Sequence, residues 1–193
     1  MRPSGTYRNS KPILEDEYRI LKSYINGLDG FETTKVKWLR SLELLWMSGL
    51  RVSEILNIRI SDIHNGISKK ELSVFVQKQK IIRHIPLSDK SVNVLKRLIE
   101  DETDEDNYYI HKRNSKMSNL NPIGFTKDFN SLIQSLLGKE FSTHSMRKGI
   151  IYSMSKKGIN PSVTKSFIGH KNISTTLNYY SPTLQDVREC LVR

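Results

Sequence analysis

The 193 residues make about one domain's worth of chain, and a hydrophobic content of 37% suffices for a packed core without disulfide staples. One cysteine, Cys190, excludes an internal disulfide, and no apolar run approaches the roughly 20 residues of a membrane-spanning helix. With 31 Lys and Arg against 20 Asp and Glu, the net charge of +11 favours a polyanionic partner, nucleic acid before acidic membrane, although charge alone also fits any basic soluble domain.

Residues 1–12 carry Arg2, Arg8 and Lys11 and no acid, and read as a flexible basic lead-in. From Ile13 to Leu28 the apolar positions Leu14, Tyr18, Leu21, Tyr24, Ile25 and Leu28 recur at helical spacing, closed by Asp29-Gly30. A second helix is predicted from Thr33 to Ser48, with Gly49 as the residue just past its end, and a short third helix from Ser53 to Ile58. Residues 72–76 and 81–87 alternate as strands, joined by a Gln77-Lys78-Gln79-Lys80 hairpin tip. A helix follows from Asp89 to Glu100, then an acidic loop with five acids between Asp101 and Asp106 that faces away from any polyanion. Tyr108–Ile110 is a short strand candidate, and Lys112–Asn121 reads as loop. Helices are predicted over Pro122–Leu137, His144–Lys157 and Pro161–Ile168, ended by Gly138, Gly158 and Gly169, with a last small helix over Thr183–Val192. The class is α+β, mainly helical, with a small antiparallel β-sheet.

Four clusters carry chemistry. Arg51 leaves a glycine turn at Ser48-Gly49-Leu50, with Glu54 three residues on to orient its guanidinium. His144 and Arg147 share one helical face, with Thr143 as the expected N-cap, so a proton carrier and an anion fork sit at a helix N-terminus. Gly169-His170 ends a short helix, and Tyr179-Tyr180 follow. Lys78 and Lys80 occupy the hairpin tip. Taken singly, each has an ordinary structural explanation: a cap, a solvated turn, a packed ring. Together they supply a cationic clamp for a phosphodiester, a proton acceptor and a phenol nucleophile.

In that order the clusters resemble the boxes of the tyrosine recombinases, the phage-integrase family that includes the Xer and Cre enzymes. Ser48-Gly49-Leu50-Arg51-Val52-Ser53-Glu54-Ile55 is similar to the first box and His144-x-x-Arg147 to the second. Ile168-Gly169-His170 with Ile173–Tyr179 is similar to the third, and the similarity runs from about Ile13 to Thr183. The family's nucleophile stands nine positions after the Gly-His histidine, on Tyr179 rather than Tyr180. Its hairpin lysine, placed before an Arg-x-(Val/Ile)-Pro-Leu stretch matched by Arg83–Leu87, falls on Lys78, with Lys80 as the alternative. The second box departs from the family in continuing Lys148-Gly149 where His-Thr is usual.

The resemblance implies a DNA breaking-rejoining catalytic domain over residues 13–183. Arg51, Arg147 and His170 would hold the scissile phosphate, Tyr179 would attack it, His144 would take the phenolic proton, Lys78 would protonate the leaving oxygen and Glu54 would brace Arg51. Lys80, Arg83, Lys148 and Lys171 are the expected DNA contacts. The implied partner is double-stranded DNA, cut and rejoined by a tetramer on two sites, with no cofactor, metal or membrane. The family's N-terminal clamping domain finds no room here, so the chain is expected to be a lone catalytic domain, served by a partner that supplies the clamp, or a fragment. Residues 184–193 would dock on a neighbouring protomer. The compartment would be cytoplasmic or another reducing, DNA-containing one: nucleoid, virus-associated or organellar. Two alternatives share part of this pattern: a type IB topoisomerase-like relaxing enzyme, and a non-catalytic DNA-binding accessory protein.

Overall fold

A computed structural model of the chain describes residues 10–28, 32–77, 80–112, 115–180 and 188, with backbone only at 32 and 33. It divides into two compact units, residues 1–149 and 150–193.

The first unit is built on α2 (Glu32–Ser48). It packs against α1 (Glu15–Asn26), which buries Tyr18, Leu21 and Ile25 at helical spacing. Glu17 accepts the Leu14 backbone N–H at 2.9 Å, so α1 starts two residues later than Ile13. Tyr18 stacks on Trp46 with ring centroids 4.3 Å apart, and its hydroxyl donates to the buried Glu43 at 2.8 Å. That bond and burial push the Tyr18 phenol far above its ordinary range, with burial the larger cause.

Beyond α2 come the one-turn α3 (Val52–Ile55), α4 (Ile60–Lys69) and an antiparallel hairpin, β1 (Glu71–Val76) with β2 (Ile81–Pro86). The inward positions are Leu72, Val74 and Val76 on β1, and Arg83 and Ile85 on β2. Helix α4 was not expected from the sequence. Its Ile60, Ile63 and Ile67 do fall at helical spacing, but Asn65-Gly66 between them reads as a turn. The helix starts because Asp62 accepts the Arg59 backbone N–H at 2.9 Å, and Gly66 lets it pack closely on β1, since a Cβ there would lie 3.3 Å from the Leu72 side chain.

Helix α5 (Asp89–Leu98) begins at Ser88, whose hydroxyl accepts the Ser91 N–H. The strand expected at Tyr108–Ile110 is instead an isolated bridge between Tyr108 and Arg59. The loop expected over 112–121 contains a second hairpin, β3 (His111–Lys112) with β4 (Ser115–Asn119). β4 is polar and largely exposed, so the apolar alternation that marks a strand is missing from its sequence. Helix α6 (Pro122–Leu137) is capped by Asn121, and Phe125 and Phe129 join Trp38 in an aromatic cluster. Helix α7 (Thr143–Lys156) follows.

The lead-in is pinned to the start of α7. Ile13 N–H donates to the Ser145 carbonyl and Lys11 N–H to the Glu140 carbonyl, both at 3.0 Å. Gly149 permits this, because a Cβ there would lie 1.9 Å from the Ile13 oxygen.

The second unit holds α8 (Pro161–Ile168) and the single turn α9 (Ser174–Leu177), which pack on each other. Asn160 caps α8, and Gly169 closes it in the left-handed conformation (φ 70°, ψ 48°). The helix expected at Thr183–Val192 lies outside the described residues, Arg188 aside.

Candidate active site

Three helix N-termini meet at one cleft of about 460 Å³ in the first unit: Arg51, Val52 and Ser53 from α3, Pro122, Ile123 and Thr126 from α6, and Thr143, His144 and Arg147 from α7. The cleft thus combines the guanidiniums of Arg51 and Arg147 with the positive ends of the α6 and α7 dipoles, which favours an anion.

The α2 C-terminus builds one wall. Gly49 takes φ 58°, where an L side chain would be strained, and turns the chain sharply toward the cleft. Ser48 and Gly49 then present their carbonyls inward, and each receives an arginine. Arg147 Nη1 donates to the Gly49 oxygen at 2.8 Å, and Arg83 Nη2 donates to the Ser48 oxygen at 3.2 Å. Arg147 is 1% exposed, yet it lines the cleft.

Arg51, at the start of α3, is half-buried. Its Nη1 donates to Glu54 Oε1 at 2.6 Å and its backbone N–H to Oε2 at 2.8 Å. Glu54 therefore orients Arg51, as its spacing suggested, and is itself buried.

His144 keeps an exposed edge at the mouth of the cleft. Partial loss of water and then the charges of Arg147, Lys148 and Arg51 hold its imidazole below its ordinary value, so the neutral, proton-accepting form is favoured near neutrality. Thr143, expected as the N-cap of this helix, is its first residue instead; its backbone N–H donates to Asn130 Oδ1 at 2.8 Å. The preceding Ser142 N–H donates to Ser145 Oγ at 3.1 Å.

The remaining hairpin and second-box residues divide. Lys78 lies outside the described residues. Lys80 is exposed at the tip with φ 53°, its N–H donating to the Val76 oxygen at 2.8 Å. Arg83, expected on the DNA surface, is 4% exposed and turned into the core, because position 83 faces inward in the β2 alternation. Lys148 is also redirected: its ammonium donates to the Ser10 carbonyl at 2.8 Å, and burial lowers its pKa.

In the second unit, His170 follows the Gly169 cap, and its N–H donates to the Lys165 oxygen at 3.1 Å. Its Nδ1 shares a 2.9 Å hydrogen bond with the buried Thr176 Oγ1. When that hydroxyl donates, Nε2 carries the ring proton and is a donor. Tyr179 is half-buried, and its carbonyl accepts from Ser155 Oγ. The Tyr180 hydroxyl is bonded to Thr164 Oγ1, a fully buried group, which gives Tyr180 a structural role. Lys171 is exposed.

Sequence reasoning missed the α6 contribution to the cleft, the Ser48 and Gly49 carbonyls, and the Thr176 and Thr164 partners. The start of α6 was legible at Pro122; its meeting with α3 and α7 had no local signal.

The model of the phage integrase family matches residues 13–185. A probable integrase/recombinase of Acholeplasma phage L2 is 29% identical over 165 residues, covering 85% of this chain and 55% of the relative. The tyrosine recombinase XerA of Pyrococcus horikoshii is 27% identical over 185 residues, covering 94% and 60%. The chain thus spans little more than half the length of these curated relatives. Among solved structures, the Tn1549 transposon integrase in complex with a circular intermediate DNA aligns with a TM-score of 0.76 at 18% identity, covering 99% of this chain and 67% of that one. The crystal structure of XerA recombinase aligns at 0.69 and 20%, covering 97% and 65%. The mainly helical architecture with its small antiparallel sheets is that of the tyrosine-recombinase catalytic domain.

Proposed function

The chain belongs to the phage integrase family, and we propose that it is a site-specific DNA recombinase that cuts and rejoins strands through a 3′-phosphotyrosyl intermediate. The observation that carries this reading is the cleft where three helix N-termini converge with Arg51, His144 and Arg147. A phosphodiester bears one negative charge at rest and more in its pentavalent transition state. Fixed cations and N–H groups in a partly closed site stabilise that gain without reorganising.

In the reaction, Arg51, Arg147 and the Nε2–H of His170 hold the non-bridging oxygens, and Tyr179 Oη bonds to phosphorus as the bond to the 5′-oxygen breaks. The phenolic proton passes to neutral His144, and Lys78 gives a proton to the departing oxygen. The phosphotyrosyl link conserves the bond energy, and a 5′-hydroxyl from another strand reverses the step. This requires His170 and Tyr179 of the second unit to meet the cleft when DNA is bound. The commitment of the Tyr180 hydroxyl to Thr164 supports Tyr179 as the nucleophile. Lys80 and Lys171, both exposed, remain the DNA contacts on this reading. Two duplex sites would be held by four protomers, with residues 184–193 docking on a neighbour and a partner or further segment supplying a DNA clamp.

Trapping on nicked suicide DNA tests the reading. A denaturation-resistant protein–DNA adduct is expected from the wild type and from Tyr180→Phe, and none from Tyr179→Phe. Salt-sensitive DNA binding without an adduct would instead identify a non-catalytic accessory protein. Relaxation of supercoiled DNA at no particular site would identify a topoisomerase.

A further inference from the structure

The mechanism above gives Arg83 nothing to do, although it is one of the most deeply buried charges in the first unit. Its guanidinium reaches two groups that both act on Arg51. Nη2 donates to the Ser48 carbonyl at 3.2 Å, on the turn that delivers Arg51 to the cleft. Nη1 lies 3.7 Å from Glu54 Oε2, on the carboxylate that grips Arg51. Glu54 is thus a carboxylate with 6% side-chain exposure set between two guanidiniums. A buried carboxylate is costly unless cations and donors compensate it.

The two arginines differ in what substrate does to them. Arg51, a third exposed, lines the cleft and shares its charge with whatever anion enters. Arg83, 3% exposed at its side chain, does not line the cleft and is set against Glu54 and Ser48. From this geometry we infer that Arg83 is a positioning residue: it holds the Glu54 carboxylate in place so that Arg51 can turn its charge to the scissile phosphate. Without it, Arg51 would carry the whole of the pairing that the two guanidiniums now share, and Glu54 would compete with the substrate for it. The β1–β2 hairpin is thereby tied to the turn at the cleft through a charge rather than through packing alone. The inference rests on the recombinase reading.

Cleavage kinetics of Arg83→Gln on a suicide substrate, beside the wild type and Arg51→Ala, tests it. The expected result is a fall in kcat of about 10- to 100-fold, with KM for DNA and its salt dependence unchanged. A second substrate replaces the scissile phosphate with a neutral methylphosphonate, which has less charge for Arg51 to offset. On it the losses of both variants should shrink together, to within about threefold of the wild type if the effect runs through Arg51. An equal loss on both substrates would reduce Arg83 to a fold-holding residue and overturn the inference. So would a raised KM with a shallower salt dependence, which marks a phosphate contact. If Arg83→Gln does not fold, Arg83→Lys keeps the charge but not the two-nitrogen fork, and a smaller kcat fall, again relieved on the methylphosphonate, is expected of it. A wild type that cuts, beside a variant that cuts equally well, sinks the inference alone; a wild type that forms no adduct sinks the recombinase reading with it.

Discussion

The two units carry their candidate catalytic groups in opposite ways. In the first, two of the arginines are tethered across long stretches of chain, Arg147 to Gly49, 98 residues away, and Arg83 to Ser48, 35 residues away, while Arg51 is held by Glu54, three residues on. In the second, His170 is held by Thr176 six residues on, and Tyr179 follows the single turn α9, its own carbonyl fastened to Ser155, 24 residues back. The contrast follows from what each group does. Charge stabilisation works when the donors are fixed before the charge develops, so the clamp is built into the core. A nucleophile must reach the phosphorus and later leave with a covalent bond to DNA, which suits a short, locally held element.

If that contrast is right, substitutions in the first unit disturb rate and stability together, and those in the second separate them. The largest effect is expected from Arg147→Ala. It removes a clamp charge and leaves the buried Gly49 carbonyl without this donor, so cleavage should fall on the order of a hundredfold or more. Urea unfolding should show a loss of about 1–3 kcal/mol. Retention of full stability would break the claim that the clamp belongs to the core.

Gly149→Ala comes next. The new methyl meets the Ile13 carbonyl, so the lead-in or α7 must move, at about 1–3 kcal/mol by urea unfolding. Faster proteolysis between residues 10 and 13 would locate the displacement. The pair Lys148-Gly149, which departs from the second box, is explained by this contact: the lysine binds the Ser10 carbonyl and the glycine admits Ile13.

Thr176→Val sharpens the other side of the comparison. It keeps the buried shape but removes the partner of His170 Nδ1, worth about 1 kcal/mol, so cleavage should slow by about fivefold. Tyr180→Phe should cost about 1 kcal/mol of stability through its lost Thr164 bond while cleavage stays within about threefold.

The smallest effect concerns pH. His144 is held below its ordinary value of about 6.5. Below that pH the unfolded chain binds the proton more readily than the folded one, so this contribution to stability is present above about 6.5 and fades as pH falls from there. In His144→Gln that component should vanish from the pH dependence of unfolding. The acid limb of wild-type cleavage should lie below pH 6.5 for the same reason.

Much of the fold was legible because its signals are local. The Pro122 and Pro161 helix starts, the Gly49 and Gly169 turns and the stripe of α1 involve residues within about four positions of one another. Where such signals were weak or mixed, the reading failed. Helix α4 carries the turn-like Asn65-Gly66 in its middle, and β4 has almost no alternation. Helix α4 packs along β1 with Gly66 against Leu72, and pairing with β3 makes the second a strand, so tertiary context overrides local propensity in both.

By itself, the sequence determined which ionisable groups exist, their order along the chain, and the helix ends on which Arg51, His144, Arg147 and His170 sit. Only the tertiary structure decided which of the expected DNA-contacting cations face water. Lys80 and Lys171 do, Lys148 binds the lead-in, and Arg83 is buried beside Glu54. The reason is the range of the forces involved. A cap or a period is settled by near neighbours, whereas burying a charge is tolerable only when distant segments bring carbonyls and carboxylates to meet it.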